Sequence, residues 1–140
     1  MDTLQHLFEQ RPLVFFHLLS ALAALAIGAI VLVRRKGTAS HRSLGWAWVA
    51  SMAGAVLTSA FIRESSLPHL HGFSPIHLFT AYVGLALPRA VWQARRGDIV
   101  AHRTTMRGIY IGGCIVAGLF TLLPGRFLGQ QLWSALGLMA

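Results

Sequence analysis

The chain has 140 residues, of which 55% are hydrophobic and only 11% charged, with a net charge of +8 and a mean hydropathy of +0.61. A water-soluble domain this small has a high surface-to-volume ratio and must cover itself with polar groups, which so little charge cannot do. The basic residues fall in short runs beside apolar segments, the pattern of membrane topology and not of a groove that tracks nucleic-acid phosphates, and the single Cys114 leaves no internal disulfide and no CxxC metal motif.

A bilayer core of about 30 Å is crossed by roughly 20 helical residues. The first segment to meet that length is 12–33, whose only strongly polar residue is His17. It is too long for a signal-peptide core and lacks a basic leader, so it is expected to be a retained span. A basic stretch follows, with Arg34, Arg35, Lys36 and Arg42. Residues 44–62 form the second predicted span, with Ala47, Ser51, Ala55 and Ser59 spaced as a small-residue stripe that lets helices approach closely. The loop after it carries Arg63 and the pair His69 and His71, a weak imidazole signal for zinc or copper.

The third predicted span, 75–94, contains His77 near its start and is interrupted by Pro88 and Arg89. Arg95, Arg96, Arg103 and Arg107 form a second basic stretch, and the fourth predicted span, 108–124, opens with Gly108 and Gly112 as a GxxxG. The last stretch, from 127 to 140, is too short to cross and is expected to lie at the interface or re-enter. The expected fold is thus an all-α, integral membrane four-helix bundle in one transmembrane domain. The positive-inside rule places both basic stretches in the cytoplasm and both termini outside. Trp46, Trp48 and Trp92 fall where aromatic interface anchors are expected.

The halves 12–63 and 75–126 resemble each other. His17-Leu18-Leu19-Ser20-Ala21 matches His77-Leu78-Phe79-Thr80-Ala81, Arg35-Lys36-Gly37 matches Arg95-Arg96-Gly97, and His41-Arg42 matches His102-Arg103 after a shift of one residue. Two tandem helical hairpins entering from the same side predict a pseudo-two-fold axis along the membrane normal. His17 then mirrors His77 toward the outside and His41 mirrors His102 at the cytoplasmic edge, with Arg63 and Arg126 returning near the first pair.

Intramembrane polar residues are expensive and mark candidate functional positions. His17 and His77 lie beside small residues, leaving either close helix packing or room for a planar cofactor or a metal ion. The sharpest cofactor reading is a b-type haem with His17 and His77 as axial ligands and Arg63 and Arg126 near its propionates. A second haem would lie between His41 and His102, for which helix capping or lipid phosphate contact is the competing role. His69 and His71 complete the candidate metal ligands. The sequence shows no phosphate loop, paired carboxylates or Ser-His-Asp set. A transporter or channel subunit and a structural or assembly subunit without ligand are the alternatives, and the bilayer is the one partner the composition dictates, with a homodimer or larger membrane complex left open.

The stretch Ala101-His102-Arg103-Thr104-Thr105-Met106-Arg107-Gly108-Ile109-Tyr110, with His41-Arg42-Ser43-Leu44-Gly45, Phe73-Ser74-Pro75-Ile76-His77 and Leu122-Leu123-Pro124-Gly125-Arg126, resembles a bacterial membrane-protein family of unknown function, domain of unknown function 2306. The likeness runs from His17 to Gly129, although Thr104-Thr105 stands where that family often has a bulky aromatic. The resemblance implies a multi-pass protein of the bacterial inner membrane and brings no activity with it.

Overall fold

The computed structural model describes residues 3–61, 76–123 and 127–138. Every regular element among them is helical: α1 (Thr3–Gln10), α2 (Pro12–Val33), α3 (Ala39–Phe61), α4 (Ile76–Arg95), α5 (Ile99–Ile109), a π-helical segment π1 (Tyr110–Val116), α6 (Ala117–Thr121) and α7 (Phe127–Ala135). α2 and α3 are each long and apolar enough to cross a membrane.

α2 starts where the sequence predicts, because Pro12 sits in its first turn, where the missing N–H costs nothing. It ends at Arg34, whose backbone turns extended, and the Lys36 ammonium then donates to the carbonyls of Val31, Leu32 and Arg34 at 3.0, 2.6 and 3.1 Å. A cation there satisfies orphan carbonyls and complements the helix dipole. α4 ends differently. Gly97 at φ 77° donates to the Ala94 carbonyl and Asp98 to that of Gln93, a Schellman ending that the left-handed glycine permits.

The helices after both basic turns begin earlier than their apolar runs. Thr38 Oγ1 accepts from the His41 N–H at 3.1 Å and Asp98 Oδ1 from the Ala101 N–H at 3.2 Å, so polar caps set the starts of α3 and α5. The predicted fourth span is one stretch of a longer helical run. Within it, π1 shifts to an i→i−5 pattern, with the Ala117 N–H reaching the Gly112 carbonyl. α1 was not predicted. It packs on α2 through Phe8, whose ring meets Phe15 and Phe16 edge-on.

α2 packs along α3, α4 along α5, α3 against α4, and α2 against π1. These neighbours close a ring in which α2 faces α4, and α3 faces α5, across diagonals. The buried centre holds Ala24, Trp48, Met52, Val83, Leu87 and Ile109. Trp48 fits because α2 offers Ala24 and Gly28 opposite it. A Cβ on Gly28 would run into the Tyr110 ring and come within 2.7 Å of the Trp48 indole nitrogen. Trp48 is therefore core, at 5% exposure, and not the interface anchor its position suggested; Trp46 and Trp92 are exposed.

Two small-residue motifs also find roles other than the expected one. Ala47 is exposed and the Ser51 hydroxyl bonds back to its carbonyl, so only Ala55 and Ser59 of that stripe lie toward neighbouring helices. Gly108 and Gly112 form a seat for the Tyr82 side chain, whose hydroxyl and ring would meet a Cβ at 2.8 and 3.4 Å. Outside the centre, bulky apolar side chains face outward on every long helix, among them Leu22, Leu57, Leu85 and Leu119. Only 11% of the apolar window of α2 and 17% of that of α3 is buried, far less than a soluble core helix would bury. Such a surface is stable against lipid, not water.

Candidate polar sites at the two ends of the helices

Polar side chains enter the interior at both ends. At the end opposite the basic turns, His17 of α2 lies with Nδ1 3.0 Å from the Ala55 carbonyl and 3.0 Å from Thr58 Oγ1. A carbonyl only accepts, so Nδ1 carries the proton. Thr58 passes its own proton to the Gly54 carbonyl at 2.7 Å. Gly54 lies against Ser20, whose hydroxyl would be 2.9 Å from a Cβ there, and the Ser59 and Thr80 hydroxyls meet at 2.8 Å between α3 and α4. The small residues beside His17 are thus used for close helix packing. His77, half-buried in the first turn of α4, lies on the helix diagonal to that of His17. Arg63, Arg126, His69 and His71 lie outside the described residues, so the outer cation pair and the HxH stay where the sequence left them.

At the basic end, the two histidines of the second pair start α3 and α5. The His102 Nδ1–H donates to the carbonyl of fully buried Ala90 on α4 at 2.8 Å. That bond fixes the ring and leaves Nε2 as the acceptor in the neutral imidazole. His41, near the start of α3, lies at the same basic end on the helix diagonal to α5. Its Nδ1 is buried and has no hydrogen-bond partner among the described residues. Neither histidine side chain caps its helix, since Thr38 and Asp98 do that.

A third polar group joins this end. Gln93, in the last turn of α4, is only 6% exposed, and its Oε1 has no hydrogen-bond partner among the described residues. It continues the buried stripe Val83, Leu87, Ala90 at helical spacing, one turn beyond the carbonyl that holds His102. That spacing was available in the sequence, where Gln93 falls inside the third predicted span and draws no separate reading. Cations surround the site: Arg42 and Arg103 follow the histidines and are exposed, the Arg95 guanidinium lies 5.8 Å from the Trp46 ring centre, and that of Arg96 lies 4.6 Å from the Trp92 ring centre. Among the described residues no group of three or more His, Cys, Asp or Glu comes together as a metal site.

Residues 14–133 match the family model described as predicted membrane protein, DUF2306. The chain belongs to this family. Nothing among the curated proteins or the solved structures matches it. As a DUF2306 protein it is a predicted membrane protein of unknown function, and the outward-facing apolar side chains and the two span-length helices agree with that description.

Proposed function

We propose that this DUF2306 protein is a four-span protein of the bacterial inner membrane, built of two tandem hairpins, whose basic, cytoplasmic end binds a b-type haem between His41 and His102. The observation that carries the reading is the anchored ring of His102, held through Nδ1 to Ala90, with His41 near the start of the diagonal helix at the same end. A metal-ligating imidazole is oriented in this way, its second nitrogen donating to a backbone carbonyl. Two imidazoles are too few for a zinc site made by protein alone. They suffice for an iron that brings its remaining ligands in a porphyrin.

The flanking cations fit the carboxylates of such a group. When bound, the haem would supply one-electron chemistry; the residues supply orientation through Ala90, positive charge through Arg42 and Arg103, and an apolar wall through the buried face of α4. The hairpin repeat is supported by the two turns. Gly37 and Gly97, at matching positions, adopt φ 81° and 77°, and Thr38 and Asp98, the residues after them, both cap the next helix. His17 and His77 form the corresponding outer pair, and a second haem there is the weaker part of the proposal, because Ser20, Gly54, Ser59 and Thr80 already use the space for packing. The transporter reading has less support: Met52, Val83, Leu87 and Ile109 fill the interior between the two polar ends.

The test is a visible spectrum of detergent-purified protein, as isolated and after haem reconstitution, with His41→Ala, His102→Ala, His17→Ala and His77→Ala alongside. A low-spin Soret band that is lost with either inner substitution and kept with the outer two is the expected result. No Soret band in either preparation, or a band insensitive to His41 and His102, overturns the reading.

A further inference from the structure

Two of the buried polar atoms without partners are complementary. His41 Nδ1 can donate and Gln93 Oε1 can only accept, and both lie at the basic end of the same interior. Burying either alone costs a full desolvation penalty, and an unpaired buried donor and acceptor in one region are resolved most cheaply by each other or by one water between them. Gln93 is well placed to hold a partner. Its own carbonyl closes the Schellman ending of α4 by accepting from Asp98 at 3.0 Å, so its backbone is fixed. The residue one turn earlier, Ala90, accepts from His102 at the same end.

We infer that Gln93 is the positioning residue of His41: one bridging water accepts from the His41 Nδ1–H and donates to the Gln93 carboxamide oxygen, and thereby presents Nε2 to whatever the inner site binds. Ala90 does the same for His102 with a backbone carbonyl. The two rings are thus held in the same tautomer by different means. A backbone carbonyl cannot be exchanged by mutation and a carboxamide can, so the His41 side is the adjustable one. A carboxylate at 93 would make the imidazole a stronger electron donor.

The inference rests on the inner-site reading for its purpose, but its test does not need the haem. Nitrogen-15 NMR of histidine-labelled protein without added haem, assigned with His41→Asn and recorded where the ring is neutral, reports which nitrogen carries the proton. The expected result is an Nδ1–H tautomer for His41, converted largely to Nε2–H in Gln93→Met and retained in Gln93→Glu, with His102 unchanged in both. Gln93→Met keeps the volume of the side chain, and unaltered far-ultraviolet circular dichroism shows that it folds. An Nε2–H tautomer in the native protein, or an Nδ1–H tautomer that survives Gln93→Met, overturns the inference. If the tautomer follows residue 93 and no Soret band forms on reconstitution, the positioning role stands and the haem reading falls. If a Soret band depends on His41 while its tautomer ignores residue 93, the haem reading stands and the role of Gln93 falls.

Discussion

The Tyr110 hydroxyl donates to the Leu25 carbonyl at 3.0 Å, joining the first residue of the π-helical segment to the middle of α2. This bond ties α2 to the helical run that follows α4. It holds the Tyr110 ring over Gly28, where there is no room for a side chain.

Gly28→Ala is therefore expected to destabilise the protein by about 1–3 kcal/mol, because its Cβ would overpack Trp48 and Tyr110. Gly45→Ala, in the interior of α3 with open space around it, should be neutral or stabilising by up to about 1 kcal/mol, since glycine costs that much in a helix. Thermal unfolding in detergent separates the two. Equal effects would mean that α2 does not approach Tyr110 as described.

Tyr110→Phe removes one hydrogen bond and leaves the ring. A loss of about 0.5–1.5 kcal/mol is expected, smaller than that of Gly28→Ala, and the same unfolding measurement checks the order.

Trp48 fills the centre at 5% exposure while its indole N–H has no partner. Trp48→Ala should cost about 3–5 kcal/mol by opening a cavity. Trp48→Phe should cost distinctly less, because it removes an unsatisfied donor along with part of the volume. If the two substitutions cost the same, the packing of this side chain is not what stabilises the centre.

His17 ties α2 to α3 through Ala55 and Thr58. His17→Leu is expected to lower stability by about 1–3 kcal/mol, because a buried polar pairing is lost, while leaving the Soret band proposed for His41 and His102 unchanged. Loss of that band with the fold intact would move the functional centre to the other end.

Arg35→Cys and Arg96→Cys, each in a Cys114→Ala background, should react with a membrane-impermeant thiol reagent from the same, cytoplasmic side. Labelling from opposite sides would contradict two hairpins entering in parallel and would require an inverted repeat.

Much of this architecture can be read from the residues. Pro12 marks the start of α2, and the two basic-Gly stretches mark the turns, because these signals act locally. The true starts of α3 and α5 lie outside the apolar runs, since Thr38 and Asp98 cap through polar side chains that a hydropathy reading treats as loop. α1 is short and mixed in polarity, so its helix depends on packing Phe8 against α2. The site was half legible. The repeat predicts a pairing of His41 with His102, which the proposed function keeps, whereas Gln93 draws no reading within the third predicted span and Trp48 reads as an interface anchor. Which way a side chain turns depends on the rotation of its helix against its neighbours, and a hydropathy window contains no rotation. The extra residue per turn in π1 likewise has no signature in composition.

The middle of the interior, filled by Met52, Val83, Leu87 and Ile109, has a consequence for what could pass between the two ends. A packed apolar layer admits no file of water, and a proton hops only along water or polar groups. An electron needs neither, because it tunnels through close-packed matter. Under the proposed haem reading, the layer would therefore bar protons between the polar groups around His17 and those around His102 without barring electrons.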